Sequence, residues 1–141
     1  MEYFSARPKE NKQMILFCLD EFASFGKLQI TPALRRLRKR RIRILVLTQS
    51  VSDVDMIYGK DERIAMLGNF KFTVILGCKD TETQEYFSKM IGDKPSLGDD
   101  FDNKNNRPII RPAELAHLEQ DLYVICDDGA VRLRKNFYFK S

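Results

Sequence analysis

The chain alternates short apolar runs with charge-rich stretches, and the first run is the sharpest. Ile15-Leu16-Phe17-Cys18-Leu19 is unbroken and stops at Asp20-Glu21. A run this short predicts a strand buried on both faces, as in a parallel sheet. Ile44-Leu45-Val46-Leu47-Thr48 has the same form and ends at Gln49. Between them lie a loop holding Gly26 and a helix capped by Thr31, with Pro32 at its first position, that runs to about Arg41. Leu34 and Leu37 give that helix a narrow apolar stripe. Strand, helix, strand at this length is a βαβ unit, whose right-handed crossover makes the two strands parallel.

The pattern continues with helices over Ser52–Tyr58, closed by Gly59, and Glu62–Leu67, ending at Gly68-Asn69. Phe72–Leu76 reads as a third strand. A helix starts at Asp80 or Thr81 and runs to about Ile91, with Tyr86, Phe87, Met90 and Ile91 toward the core. Residues 92–108 carry repeated glycine and proline breaks and the run Asp99-Asp100-Phe101-Asp102-Asn103, a loop whose acid spacing is not that of an EF-hand. Pro112 opens a short helix to about Leu118. Leu122–Cys126 and Val131–Lys135 form a hairpin across Asp127–Ala130. The aromatics Phe70, Phe72, Phe87, Phe137, Tyr138 and Phe139 read as core and terminal packing rather than a base-stacking platform. The organisation is a polar linker, residues 1–13, and one α/β domain, residues 14–141.

Composition narrows the class. With 141 residues, 43% hydrophobic and 31% charged, the chain reads as a globular domain able to bury a core. No stretch approaches a membrane span, and Met1–Gln13 is no signal peptide. Cys18, Cys78 and Cys126 each fall in an apolar run, which predicts buried, reduced thiols and a cytosolic setting. Their spacing, with His117 the only histidine, does not suit zinc.

The net charge of +4 is localised. Arg35, Arg36, Arg38, Lys39, Arg40, Arg41 and Arg43 place seven cations in nine positions, and the rest of the chain holds 17 basic and 20 acidic residues. Arg35, Arg38 and Lys39 share one helix face at i, i+3, i+4 spacing. Seven uncompensated cations repel one another, so the patch is read as facing phosphates, of nucleic acid or of nucleotide. A solvated helix face is the alternative.

Chemistry concentrates at the strand tips. Open α/β sheets bind ligands beyond the C-terminal ends of their strands, where the chain puts Asp20, Glu21 and Gln49. In nucleotide-hydrolysing enzymes an aspartate there organises Mg²⁺ and a neighbouring acid orients the attacking water. The other half of such a site is a phosphate cradle, G-x-x-x-x-G-K-[ST]. No such segment occurs in this sequence, whose seven glycines are scattered singly. The chain therefore reads as the second half of a nucleotide-binding domain, which on its own should not hydrolyse ATP.

Leu19-Asp20-Glu21-Phe22-Ala23-Ser24-Phe25-Gly26-Lys27-Leu28 resembles the Walker B segment of the TraG/TraD class of type IV secretion coupling proteins, RecA-like motors that feed DNA–protein substrates into conjugation channels. Leu47-Thr48-Gln49-Ser50 resembles the family's next strand and its glutamine, and Ile57-Tyr58-Gly59 its IYG turn. Thr81-Glu82-Thr83 with Tyr86-Phe87-Ser88 is similar to its D-x-E-T-A-E-Y-L-S helix, with Gln84 in place of a small residue. Arg107-Pro108 and Arg111-Pro112-Ala113-Glu114-Leu115 resemble its C-terminal segment. The fold that the resemblance implies is α/β, a RecA-like P-loop NTPase half-domain with a parallel sheet flanked by helices and a C-terminal β-hairpin.

The resemblance implies roles. Asp20 would hold Mg²⁺ through water, Glu21 would polarise the attacking water, and Gln49 would sense the γ-phosphate. Arg38 would be an arginine finger reaching the next subunit of a homo-hexamer, although its cationic neighbours are also candidates. The remaining cations of the patch would line a DNA channel or touch the relaxosome. The intact protein would bind ATP and Mg²⁺ at the cytoplasmic face of the inner membrane. It would recruit DNA and relaxosome proteins and drive translocation into the type IV secretion channel. Two other readings are a non-catalytic module recognising a relaxosome protein or secretion substrate, and an FtsK-type motor, which the Asp20–Lys27 and Arg107–Leu115 matches disfavour.

Overall fold

The computed structural model describes residues 13–94 and 107–139. Its contacts divide the chain into two compact units, one up to Lys71 and one from Phe72 onward.

The first unit runs β1 (Ile15–Leu19), α1 (Ile30–Leu37), β2 (Ile42–Val46), α2 (Val51–Tyr58) and α3 (Lys60–Leu67). β1 and β2 are parallel, with Ile15 opposite Ile42 and Leu19 opposite Val46, as a βαβ unit requires. The ladder continues past both strands. Leu47 N–H donates to Leu19 O at 2.9 Å, and Phe22 N–H donates to Leu47 O at 2.8 Å.

Burial on both strand faces is not what forms. Ile15, Phe17, Leu19, Ile42, Ile44 and Val46 turn inward, whereas Leu16, Cys18, Leu45 and Leu47 are exposed. The pleat sends alternate residues to opposite faces, and within this unit only one face is covered. An apolar composition suits a covered face without supplying the cover.

α1 starts one residue before Thr31. Gln29 is its N-cap and makes no side-chain cap bond. Pro32 still lies in the first turn, where its missing N–H costs little. The α-helix ends at Leu37, short of Arg41, and a 3-10 turn over Arg38–Arg40 follows. Arg41 is left-handed at φ 58, and its N–H reaches Arg38 O at 3.4 Å. That is a conformation glycine usually supplies at a helix end. It lets Leu37 and Ile42 bury together with Ala33, which is why β2 begins two residues before the expected Ile44.

Ser50 caps α2, its Oγ accepting from Asp53 N–H at 3.0 Å. Gly59, at φ 81, ends α2 and opens α3, a left-handed corner that glycine adopts without steric cost. Arg63 pairs with Asp55 at 2.6 Å in a largely buried ion pair that joins the two helices. Phe22, Ile30, Val54, Tyr58 and Met66 form the core between α1, α2, α3 and the turn after β1.

The second unit contains β3 (Thr73–Ile75), α4 (Thr81–Ile91), a 3-10 turn (Pro112–His117), β4 (Asp121–Cys126) and β5 (Gly129–Arg134). Its sheet order is β3-β4-β5, antiparallel throughout. The hairpin turn is Asp127-Asp128, two residues rather than four, with Gly129 at φ 118. Asp80 caps α4, accepting from Thr83 N–H at 2.9 Å.

The buried stripe of α4 is more polar than its apolar residues suggest. Thr83, Gln84, Ser88 and Ile91 are buried, Tyr86 and Phe87 are half-buried, and Met90 is exposed. Hydrogen bonds explain it. Gln84 Nε2 donates to Cys78 O at 3.2 Å and Lys79 O at 3.0 Å, and Ser88 Oγ donates to Ile110 O at 2.6 Å. Buried polar groups are tolerated when paired in this way. Around them pack Ile75, Cys78, Ile91, Ile110, Leu115, Leu118 and Tyr123.

The flanks of the expected loop 92–108 are tied. Lys94 N–H donates to Arg107 O, and Ile109 N–H to Gly92 O, each at 2.9 Å. The run Asp99–Asn103 lies outside the described residues. Phe70 and Phe87 pack on the cores as expected, but Phe72, Tyr138 and Phe139 are exposed. The three cysteines are free, with Cys78 buried, Cys126 half-buried and Cys18 exposed on the open side of β1. Cys18 thus departs from the expected burial for the same reason as Leu16.

Candidate site at the strand tips

The site is built where β1 and β2 end. After Leu19 the chain must leave the sheet and drop Phe22 into the core, where it is 0% exposed. Glu21 makes that turn in the left-handed region, φ 48 and ψ 54. A non-glycine residue held there costs on the order of 1 kcal/mol, and such strain concentrates at functional positions. Asp20 Oδ1 accepts from Glu21 N–H at 3.0 Å, an Asx contact that fixes the carboxylate beside the turn. Both carboxylates remain exposed.

Gln49 arrives from the neighbouring strand. Phe22 N–H on Leu47 O sets its register against β1. Thr48 Oγ1 donates to Ser50 O at 3.1 Å, and Ser50 starts α2. Gln49 Nε2 then donates to Glu21 Oε1 across 3.5 Å, a long hydrogen bond between exposed side chains. Asp20, Glu21 and Gln49 are thus brought together.

Among the described residues no group of three or more His, Cys, Asp or Glu is placed to hold a metal. The donor set present is a pair of exposed carboxylates at a strand tip. That fits Mg²⁺, which favours one or two carboxylates with waters and substrate phosphates over an all-protein cage. Either Asp20 or Glu21 could contribute such a carboxylate.

Arg38 is not part of this cluster. It lies in the turn that precedes β2, at the opposite end of that strand from Gln49. Arg35, Arg38 and Lys39 line a shallow groove with Leu34 and Asn69. Arg35 Nε donates to Asn69 Oδ1 at 3.2 Å, and Asn69 Nδ2 to Ala65 O at 2.6 Å, so α3 braces one wall. Arg36 and Arg41 are exposed and Arg40 is half-buried. Arg43 sits opposite Leu16 on the open face of the sheet. The charge run therefore divides into a groove set and a sheet-face residue, a division its spacing does not reveal.

Sequence reasoning gave Tyr58 no role. It is 7% exposed, and its ring stacks on Phe22 with centroids 5.4 Å apart and planes 10° apart. Its hydroxyl accepts from Leu28 N–H at 2.8 Å and donates to Gly26 O at 3.2 Å. Burial pushes its pKa above the usual 10.0, and nearby Glu62 adds to that, against the Leu28 N–H and Lys27. The available signal was an aromatic next to a helix-ending glycine.

A βαβ unit with acids and a glutamine at its strand tips, followed in the chain by a separate antiparallel sheet, is a mixed α/β arrangement, and its likeness to solved TrwB structures makes it RecA-like. Similarity to known proteins narrows it. The family described as the TraM recognition site of TraD and TraG matches residues 14–120. The chain belongs to that family, the C-terminal region of TraG/TraD-class coupling proteins. It is 29% identical over 149 residues to Protein VirD4 of Agrobacterium fabrum, covering 94% of this chain and 22% of VirD4. It is 27% identical over 139 residues to Conjugal transfer protein TraG of the same organism, covering 87% and 21%. Among solved structures it resembles the plasmid coupling protein TrwB with ADP and Mg²⁺ (TM-score 0.81, 27% identity, 99% of this chain and 35% of that one). TrwB with a non-hydrolysable GTP analogue gives the same TM-score and identity, over 99% and 36%. The chain spans about a fifth of the length of its curated relatives. No helix among the described residues is long and apolar enough to cross a membrane.

Proposed function

We propose that this chain supplies the water-activating and phosphate-sensing side of the ATP site of a conjugative coupling protein. The observation that carries the reading is the meeting of Glu21 and Gln49 beside Asp20, at the tips of two parallel strands. In this reading Asp20 would hold Mg²⁺, and Glu21 accepts a hydrogen bond from the attacking water and orients it. Gln49 senses the γ-phosphate and passes its state to Glu21 through their hydrogen bond. Mg²⁺, when bound, neutralises charge developing on the phosphates. Arg38, remote from this cluster within one copy, acts on the site of the next subunit in a homo-hexamer. The groove of Arg35, Arg38 and Lys39 offers a phosphate-binding surface for DNA, with Arg36, Arg40, Arg41 and Arg43 adding positive potential. The intact protein works at the cytoplasmic face of the inner membrane and passes DNA and relaxosome-bound substrate to the type IV secretion channel.

TrwB, solved with ADP and Mg²⁺, supports the cofactors of this reading. The test is Glu21→Gln in the longer protein carrying this chain. ATP turnover should fall by about 10²-fold or more, as for loss of a catalytic base, while nucleotide still binds. Unchanged turnover would remove Glu21 from the chemistry.

A second reading, a recognition module for a relaxosome protein, is favoured by the description of the matching family as a TraM recognition site. Exchanging residues 92–108 should abolish capture of that partner while the chain stays folded. Retained capture would count against it.

A further inference from the structure

We propose that Tyr58 is a positioning residue for Glu21 and Gln49, and that α2 is the spacer through which it acts. The inference rests on the hydrolytic reading of those two residues. α2 is attached at both ends. Its cap, Ser50, directly follows Gln49. Its last residue, Tyr58, holds Gly26 and Leu28, just past the 3-10 turn Phe22–Phe25 that follows Glu21. Eight helical residues make a rod of about 12 Å, so the two side chains that meet at the strand tips are spaced by one rigid element.

The grip at the Tyr58 end is specific. One hydroxyl bridges two backbone groups, accepting from Leu28 N–H and donating to Gly26 O. The ring lies flat on Phe22, the residue next to Glu21. Phe22 is in turn fixed by its N–H on Leu47 O, two residues before Gln49. Glu21 therefore sits between an Asx contact on one side and an immobilised Phe22 on the other. Its left-handed backbone needs such constraint, because an unconstrained glutamate would relax to φ below zero. Lys27 adds a bridge to Glu62 of α3 at 2.9 Å and lies 6.0 Å from the Tyr58 ring centre. Lys27 is exposed and Glu62 half-buried, so that pair adds little, and the fastening rests on the stacked ring and the two hydrogen bonds of the hydroxyl.

A merely structural tyrosine would affect stability and nothing else, so the test reads the site itself. Tyr58→Phe keeps the stacking and deletes both hydrogen bonds. In the full 141-residue chain, the Leu28 amide should exchange about fivefold faster, as for loss of roughly 1 kcal/mol. The Gln49 side-chain amide and the Glu21 carboxylate should both shift in NMR spectra. In the longer protein, kcat should fall with KM for ATP unchanged. The proposal is overturned if Leu28 exchange rises while the Gln49 and Glu21 signals stay in place, or if Leu28 protection does not change. These signals need no turnover. Survival of ATPase activity in Glu21→Gln would instead overturn the hydrolytic reading, leaving the mechanical link between Tyr58 and Glu21 to be judged by NMR alone.

Discussion

Gln49 Nε2 and Glu21 Oε1 meet across 3.5 Å, joining residues 28 apart in sequence at the ends of adjacent parallel strands. The contact is long and exposed, so it contributes little to stability, and in the proposed hydrolytic role it would strengthen only once water is excluded. Gln49→Ala should therefore leave the melting temperature within about 1 °C, as for most surface substitutions. In the longer protein it should lower kcat by about 10²-fold, with KM for ATP nearly unchanged, as for a contact made mainly in the transition state. A rise in KM at constant kcat would make Gln49 a ground-state binding residue.

Glu21 trades stability for its position. Its φ of 48 is one that glycine adopts freely. Glu21→Gly should stabilise the chain by up to about 1 kcal/mol, seen as a higher urea midpoint. In the longer protein the same substitution removes the carboxylate and should abolish turnover. A lower midpoint would mean that the carboxylate itself supports the fold.

The alkaline limit of stability should carry the signature of two buried acids. Burial raises the Tyr58 phenol above 10.0, and burial, aided by Asp80, raises the Cys78 thiol above 9.0. Each is neutral in the fold and ionises more readily in the unfolded chain. The unfolded chain thus releases more protons on the way up in pH, so stability falls as pH rises. The loss should begin near pH 9 with Cys78 and steepen above pH 10 with Tyr58. Cys78→Ala and Tyr58→Phe should each flatten the matching part of a stability–pH curve, and a flat curve in the parent chain would contradict both assignments.

The basic groove should be legible in salt. If Arg35, Arg38 and Lys39 contact phosphates, the logarithm of single-stranded DNA affinity should fall linearly with the logarithm of salt concentration. Replacing all three with glutamine should reduce the slope by about 2, at roughly 0.7 per lost contact. Arg43→Gln, on the sheet face, should change it far less. Equal effects from both variants would mean a diffuse field rather than a groove.

Element identity was readable wherever local chemistry and tertiary need agreed. The apolar run before Asp20, the helix start at Asp80 and the helix end at Gly59 all form as their residues dictate, whereas the cap at Ser50, two residues before the expected Ser52, was not read. Reading failed where a distant partner decided. Arg41 adopts a glycine-like conformation because Ile42 must reach Leu37, and nothing at Arg41 itself announces it. Gln84 and Ser88 are buried because carbonyls of Cys78, Lys79 and Ile110 come to meet them. Met90 looked interior by helical spacing, yet those polar residues occupy the stripe. The placing of Asp20, Glu21 and Gln49 at the strand ends was legible from the apolar runs before them. Tyr58 was not, because its partners lie 30 and 32 positions away.

The sheet faces that remain open also shape how this chain behaves in denaturant. In the first unit Leu16, Leu45 and Leu47 are exposed. In the second, Val74 lies opposite Val124, which lies opposite Val131, with Phe72, Leu76 and Leu133 on the same side, all largely exposed except the half-buried Val124. Surface that the native chain already shows to water is not newly exposed on unfolding, and the steepness of a urea transition follows newly exposed area. The 141-residue chain should accordingly unfold with a gentler urea slope and a smaller heat-capacity increment than a domain of equal length whose sheets are covered on both sides.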